Sequence, residues 1–121
     1  MTHITALVFA SKDPERLATF YREVLDIPFA VAQHGNIRPH IECEVDNFHF
    51  AIIHKPLASA SGSITPSFVV ADLPQFLDQL LGRGIEPLHP IIELGEGKSI
   101  STITDPDGNP IRLIQISSSH S

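Results

Sequence analysis

The sequence has a single cysteine and few basic residues. With Cys43 alone, the chain cannot form an internal disulfide or a cysteine-rich zinc site. Its 8 lysines and arginines against 14 acidic residues give a formal net charge of −6, without a basic run, so we expect no binding to nucleic acid. No apolar run approaches the roughly 20 residues of a membrane span, and the first residues lack the features of a signal peptide. We therefore expect a cytoplasmic protein with no membrane association.

The length and amino-acid composition of the chain are typical of a folded domain. The 121 residues are enough to bury a hydrophobic core. Hydrophobic residues make up 42% of the chain and charged residues 18%, which is typical of a globular protein and not of a disordered one.

Two consecutive segments of the chain contain the same order of predicted elements. Each begins with a strand, Thr5–Ala10 or Ile64–Val70, and continues into an amphipathic helix with an aspartate cap and a proline in its first turn. The caps, Asp13 and Asp72, are 59 positions apart. Further strands are predicted at Phe29–Gln33, Ile37–Val45, Phe48–His54, Leu88–Leu94, Lys98–Thr104 and Asn109–Ile116. The sequence therefore predicts an α+β protein of two βαβββ modules.

The repeat also predicts the boundaries of these modules within one domain. We expect the first module at about residues 1–55, a linker at 56–63, and the second module at about 64–117. The polar tail, residues 118–121, is expected to be disordered.

Two segments carry a resemblance to a known family: DPERLATFYREVLDIPF (Asp13–Phe29) and DPDGNPIRLIQ (Asp105–Gln115). Together with the repeat, they resemble the vicinal oxygen chelate superfamily, which includes glyoxalase I, extradiol dioxygenases and bleomycin-resistance proteins. The resemblance covers nearly the whole chain. It implies that the two modules form a cup-shaped mixed sheet with the helices on its outer face, and that the protein is a homodimer.

Enzymes of this superfamily hold a divalent metal in the cup with histidine, glutamine or glutamate from four strands. Matching the motifs places these four positions at Ala6, Ala51, Thr65 and Arg112. None of these side chains is a good metal ligand, and Arg112 is a cation where a cation would bind. The resemblance therefore predicts no metal and no cofactor in this protein.

Strand alternation tests this placement without reference to the family. If the four positions face the cup, their strand neighbours face the helices and should be apolar. Those neighbours are Leu7, Phe9, Phe50, Ile52, Phe68, Val70, Ile111 and Leu113. A two-residue loop at Asp46 and Asn47 would pair Glu44 with His49 and add both to the cup.

The same alternation applied to all strands gives a set of predicted ligand-binding residues. In the second hairpin it is expected to place Ser99, Ser101 and Ile103 beside Arg112. The predicted ligand-binding residues are Arg112, His49, Glu44, Glu42, Ala6, Val8, Ala51, Thr65, Ser67 and Ser101.

Three functions are compatible with this pattern. The leading one is metal-independent binding of a small organic molecule, as in superfamily members that sequester a drug or metabolite. The alternative is a metal-dependent lyase, isomerase or dioxygenase with a rebuilt metal site at His40, Glu42, Glu44 and His49. The third is a partner-binding scaffold with a vestigial cup. Arg112 either contacts an anionic or carbonyl-bearing ligand, or neutralises Glu42 or Glu44.

Overall fold

The computed structural model describes residues 2–32, 40–60 and 62–117, so the predicted tail lies outside the described residues. The chain divides into two compact units, residues 1–60 and 61–121. Each unit contains one four-stranded mixed sheet and one long helix, which confirms the predicted α+β class and the repeated βαβββ order. Neither helix in these described ranges is long and apolar enough to cross a membrane.

The first unit contains one helix and four strands in the predicted order. Its elements are β1 (Ala6–Ser11), α1 (Pro14–Leu25), β2 (Ala30–Ala32), β3 (His40–Val45) and β4 (Phe48–His54). The strand order across the sheet is β1-β4-β3-β2, with β1 parallel to β4 and the other neighbours antiparallel.

Helix α1 begins where the sequence predicts and packs through an aromatic residue. The Asp13 side chain caps the helix by accepting a hydrogen bond from the backbone N–H of Arg16 at 3.2 Å. Tyr21 is fully buried, and its ring stacks on Phe9 of β1 with 5.4 Å between the centroids. Phe29 meets the edge of the same ring at 6.0 Å. These contacts fix α1 against one face of its sheet.

The hairpin between β3 and β4 has the predicted two-residue turn. Asp46 and Asn47 both have positive φ angles, 52° and 64°, as the favoured two-residue hairpin turn requires. Val45 therefore pairs with Phe48, and Glu44 pairs with His49. The predicted register of this hairpin is confirmed.

The second unit repeats the topology of the first. Its elements are β5 (Ser67–Val69), α2 (Leu73–Gly82), β6 (Ile92–Gly95), β7 (Lys98–Thr104) and β8 (Pro110–Ile116). The strand order is β5-β8-β7-β6, with β5 parallel to β8. The Asp72 carboxylate caps α2 by accepting from the N–H of Gln75 at 3.1 Å.

Two strands of the second unit are shorter than the sequence predicts, because prolines precede them. Strand β5 does not fill the predicted span Ile64–Val70, since Pro66 has no N–H to donate, although its carbonyl accepts from the N–H of Arg112 at 2.9 Å. Strand β6 begins only at Ile92, after Pro90. The helices and the hairpin strands lie close to their predicted positions.

A buried aspartate organises the turn between β7 and β8. Asp105 is 4% exposed, and one carboxylate oxygen accepts from the N–H groups of Asp107 and Asn109, at 3.0 and 2.9 Å. The other oxygen accepts from the Asn109 side-chain amide at 2.8 Å. The turn holds five residues, since Thr104 pairs with Pro110. This length determines which residues of β7 and β8 face each other.

Candidate functional site

Each sheet has one face covered by its own helix and a second face directed away from that helix, called here the distal face. In the first sheet α1 packs on the face that carries Phe9 and Ile52. In the second sheet α2 packs on the face that carries Ile111 and Leu113, both fully buried. Residues that alternate with these along the strands lie on the distal faces.

On the first sheet, the strand pairing brings six predicted residues together on the distal face. Ala6, His49 and Glu44 form one row across β1, β4 and β3. Val8, Ala51 and Glu42 form the next row. The predicted common face of these residues is therefore correct, and their contact with a ligand stays a prediction.

Two histidines and two glutamates interact on this distal face. His40 donates from Nε2 to the Oε2 atom of Glu42 at 2.9 Å, and Nε2 of His49 lies 3.0 Å from the same oxygen. The other ring nitrogen of His49, Nδ1, lies 3.3 Å from Oε1 of Glu44. Both His49 contacts are favourable together when each ring nitrogen carries a proton, because carboxylates only accept. Glu42 and Glu44 thus have partners within their own hairpin.

The same four residues are the predicted rebuilt metal site. They cluster, but their contacts are those of histidine N–H groups with carboxylate oxygens. Among the described residues, no group of three or more histidine, cysteine, aspartate or glutamate side chains is arranged to hold a metal ion. The geometry gives no support to the metal-dependent alternative.

On the second sheet, Arg112 lies at the centre of a polar row on the distal face. It pairs with Ser67 of β5 on one side and with Thr102 of β7 on the other. Arg112 is exposed, and its guanidinium makes no hydrogen bond or ion pair with the described residues of its own unit. The row therefore presents a fixed positive charge between two hydroxyl groups.

The four positions that match the metal ligands of superfamily enzymes do not fit a metal. Ala6 and Ala51 end in methyl groups, and Thr65 is an exposed residue two positions before β5. The fourth side chain is the guanidinium of Arg112, which has no lone pair to donate. Metals in proteins take imidazole, thiolate or carboxylate ligands, and none is present in this set.

Ser101 does not lie beside Arg112, and its predicted place in the site is wrong. Ser101 pairs with Leu113, is fully buried on the α2 side, and donates to the carbonyl of His89 at 3.2 Å. The prediction assumed an even number of turn residues, whereas the observed turn has five. Ser99 and Ile103 lie on the helix-facing side for the same reason.

The sequence reasoning missed Thr102, which pairs with Arg112, and His89, which contacts Thr102. Thr102 takes the place predicted for Ser101, and its hydroxyl lies 2.8 Å from Nε2 of His89. Because Nδ1 of His89 lies 2.7 Å from the Pro90 carbonyl, that nitrogen must donate, which leaves Nε2 to accept from Thr102 in the neutral ring. A five-residue turn would have predicted that Thr102 pairs with Arg112. Nothing in the sequence spacing of His89 indicates that its side chain contacts Thr102.

Cys43 lies between Glu42 and Glu44 in β3 but points to the opposite side of the sheet. Partial burial raises the pKa of the Cys43 thiol, and the neighbouring Glu42 carboxylate raises it further. The thiol is therefore protonated at neutral pH, which makes it less nucleophilic than a thiolate.

The two βαβββ units, each with one helix on one face of a mixed sheet, define a class of proteins built from a duplicated module. The family model of the Glyoxalase/Bleomycin resistance protein/Dioxygenase superfamily matches residues 2–113. The chain belongs to this superfamily.

Solved structures of other proteins share the fold. A protein from Bacillus anthracis described as a glyoxalase family member superposes with a TM-score of 0.74 at 18% identity, covering 97% of each chain. TnmS3, an antibiotic binding protein from Streptomyces sp. CB03234, gives 0.73 at 20% identity over 97% of this chain and 98% of its own. The oxidase ChaP-H2 gives 0.70 at 18% identity over 94% and 93%. No curated protein sequence matches the chain. At these identities the likeness shows the fold and not the activity.

Proposed function

We propose that this protein binds a small organic ligand without a metal ion, through Arg112 on the distal face of the second sheet. The observation that carries the proposal is the row of Ser67, Arg112 and Thr102, which places a guanidinium on the distal face. The family resemblance matches Arg112 to the position at which superfamily enzymes hold a metal carboxylate. A positive side chain at this place repels a divalent cation and attracts an anionic or carbonyl oxygen.

The chemistry of the row favours a ligand with a carboxylate, phenolate or carbonyl group. The guanidinium has five N–H donors in a planar fork, and it has no competing partner among the described residues of its unit. On one side Ser67 adds a hydroxyl that can donate, and on the other side the Thr102 hydroxyl donates to Nε2 of His89 and can only accept from a ligand. These groups can bind and orient such a ligand, but they lack the Lewis acidity that metal-dependent members use to activate substrates.

The relatives are compatible with binding and with catalysis. TnmS3 is an antibiotic binding protein and ChaP-H2 is an oxidase, and both have the fold of this chain. The proposal that the protein binds and sequesters a drug or metabolite therefore depends on the side chains of this chain and not on its fold.

Metal content and bound organic material test the proposal directly. Elemental analysis of the purified protein should find far less than one nickel, zinc, iron or manganese per chain. Mass spectrometry of the denatured protein should identify any co-purified organic compound. About one metal ion per chain would overturn the proposal.

Light scattering should give twice the 13.2 kDa mass of the chain if the protein is the expected homodimer.

Substitution of Arg112 tests its role once a ligand is identified. Calorimetric titration of Arg112→Met should show an affinity lower by about 1.5–3 kcal/mol, the range for a hydrogen bond to a charged group. Arg83→Met at the end of α2 removes the same charge from the same unit, away from the distal face, and should bind as the wild type does. Unchanged affinity in Arg112→Met would show that Arg112 does not contact the ligand.

A further inference from the structure

The second unit contains a cavity on the helix-facing side of its sheet, away from Arg112. Its volume is about 330 Å³, and it lies at the first turn of α2, beside Asp72 and Pro74. The sheet side of the cavity is lined by Glu93, Ser99 and Gln115. This volume is in the range of small-molecule sites.

The three sheet residues form a row across β6, β7 and β8. Ser99 pairs with Glu93 on one side and with Gln115 on the other. All three side chains line the same cavity. The row is therefore set by the strand register and not by the conformation of a loop.

Ser99 is a polar side chain that faces this cavity without a partner. It is 9% exposed, and its hydroxyl makes no hydrogen bond with any described residue. In the described part of the chain, every polar side-chain atom that is shielded from solvent has a hydrogen-bond partner. Because the Ser99 hydroxyl has no partner, it must be accessible to solvent, and it is accessible from the cavity. The Ser99 hydroxyl is therefore available to bond to a polar group that enters the cavity.

Two neighbouring side chains hold the walls of the cavity. Gln115 accepts from the N–H of Leu73 at 2.7 Å and donates to the hydroxyl of Ser117 at 3.2 Å, so its amide is engaged at both ends. One carboxylate oxygen of Asp72 accepts from the N–H of Gln75. The groups left to bind a ligand are the other oxygen of Asp72, the carboxylate of Glu93 and the hydroxyl of Ser99.

The two carboxylates only accept, the Ser99 hydroxyl can accept as well as donate, and the lining contains no lysine, arginine or histidine. We propose that this cavity binds a small organic cation, with its primary ammonium group between Glu93, Asp72 and Ser99. An ammonium has three N–H donors and no acceptor, which matches three acceptors of this kind. A short alkyl chain on the ammonium fits the remaining volume of the cavity.

This site is separate from the proposed site at Arg112. Gln115 and Arg112 lie in the same strand three positions apart, and this odd offset places their side chains on opposite faces of the sheet. A ligand at one site does not require a ligand at the other. The two proposals can therefore fail independently.

Titration with n-butylammonium and with neutral 1-butanol tests the proposal on the full chain. The two compounds have nearly the same size, and binding is followed by the backbone amide signals of Asp72, Glu93 and Ser99 in ¹H–¹⁵N spectra. We expect saturable shifts at these amides with n-butylammonium, at concentrations where 1-butanol gives none. Equal responses to the two compounds would overturn the proposal, because the cavity would then recognise only the alkyl chain.

Substitutions separate a built site from general attraction to an acidic protein. Glu93→Gln should weaken n-butylammonium binding about fivefold, the upper range for an exposed ion pair. Ser99→Ala should also weaken it about fivefold, the typical effect of one hydrogen bond. Asp78→Asn removes the same charge from an exposed position on α2 outside the lining and should leave binding unchanged. Equal weakening by Glu93→Gln and Asp78→Asn would refute the site. Retained dispersion of the spectra shows that each variant is folded.

Discussion

Replacing Asp105 by alanine should destabilise the protein more than any single exposed substitution. The carboxylate accepts three hydrogen bonds, two from backbone N–H groups and one from the Asn109 amide, at 2.8 to 3.0 Å. Hydrogen bonds to a charged group each contribute about 1.5–3 kcal/mol, and bonds to one carboxylate are not additive. We therefore expect Asp105→Ala to lower the free energy of unfolding by about 3–4 kcal/mol.

This loss is large because the donors cannot all find water. Asp105 is 4% exposed, so its removal leaves the N–H groups of Asp107 and Asn109 in a partly buried turn. The total stability of a domain is about 5–15 kcal/mol, so the variant should have lost a large part of it. The melting temperature should fall by roughly 10–15 °C.

Urea unfolding followed by circular dichroism measures this effect. Asp105→Asn keeps one carbonyl acceptor and should lose about half as much stability as Asp105→Ala. Asp78→Ala, at an exposed position of α2, should change stability by less than about 0.5 kcal/mol. If Asp105→Ala loses no more stability than Asp78→Ala, the turn does not depend on this carboxylate, and our account of the β7–β8 register is wrong.

Two further predictions concern a glycine and the cysteine. Gly97→Ala should destabilise the protein clearly more than Gly62→Ala. Both glycines have a positive φ, +74° and +73°, so the backbone strain of the two substitutions is alike. An added Cβ at Gly97 would lie 2.7 Å from the Ser117 carbonyl oxygen, whereas at Gly62 it meets nothing within 4 Å. Urea unfolding of both variants checks this, and equal losses would contradict the close contact. Cys43 should react with iodoacetamide at pH 8 more slowly than a free cysteine peptide, because its raised pKa leaves less thiolate, and Glu42→Gln should speed the reaction slightly. A rate equal to that of the peptide would contradict the raised pKa.

The sequence predicted the first unit well because several independent signals agreed. The aspartate caps fix where the helices begin, and the alternation of apolar residues fixes which face of each strand meets α1. At Asp46 and Asn47, residue types that tolerate positive φ allowed the two-residue turn to be predicted. Six predicted site residues consequently lie on one face, as expected from sequence alone.

The second hairpin was predicted less well because its strand β7 has an ambiguous pattern. In KSISTIT (Lys98–Thr104) both isoleucines are buried, yet Ile100 and Ile103 lie on opposite faces. Serines occupy the helix-facing positions of β7, where apolar residues are usual. The alternation of apolar and polar residues therefore did not show which side chains of β7 face α2. The register of β7 against β8 therefore depended on the length of the turn. The five-residue turn is stabilised by the hydrogen bonds of Asp105, and these cannot be predicted from the pattern of residue types.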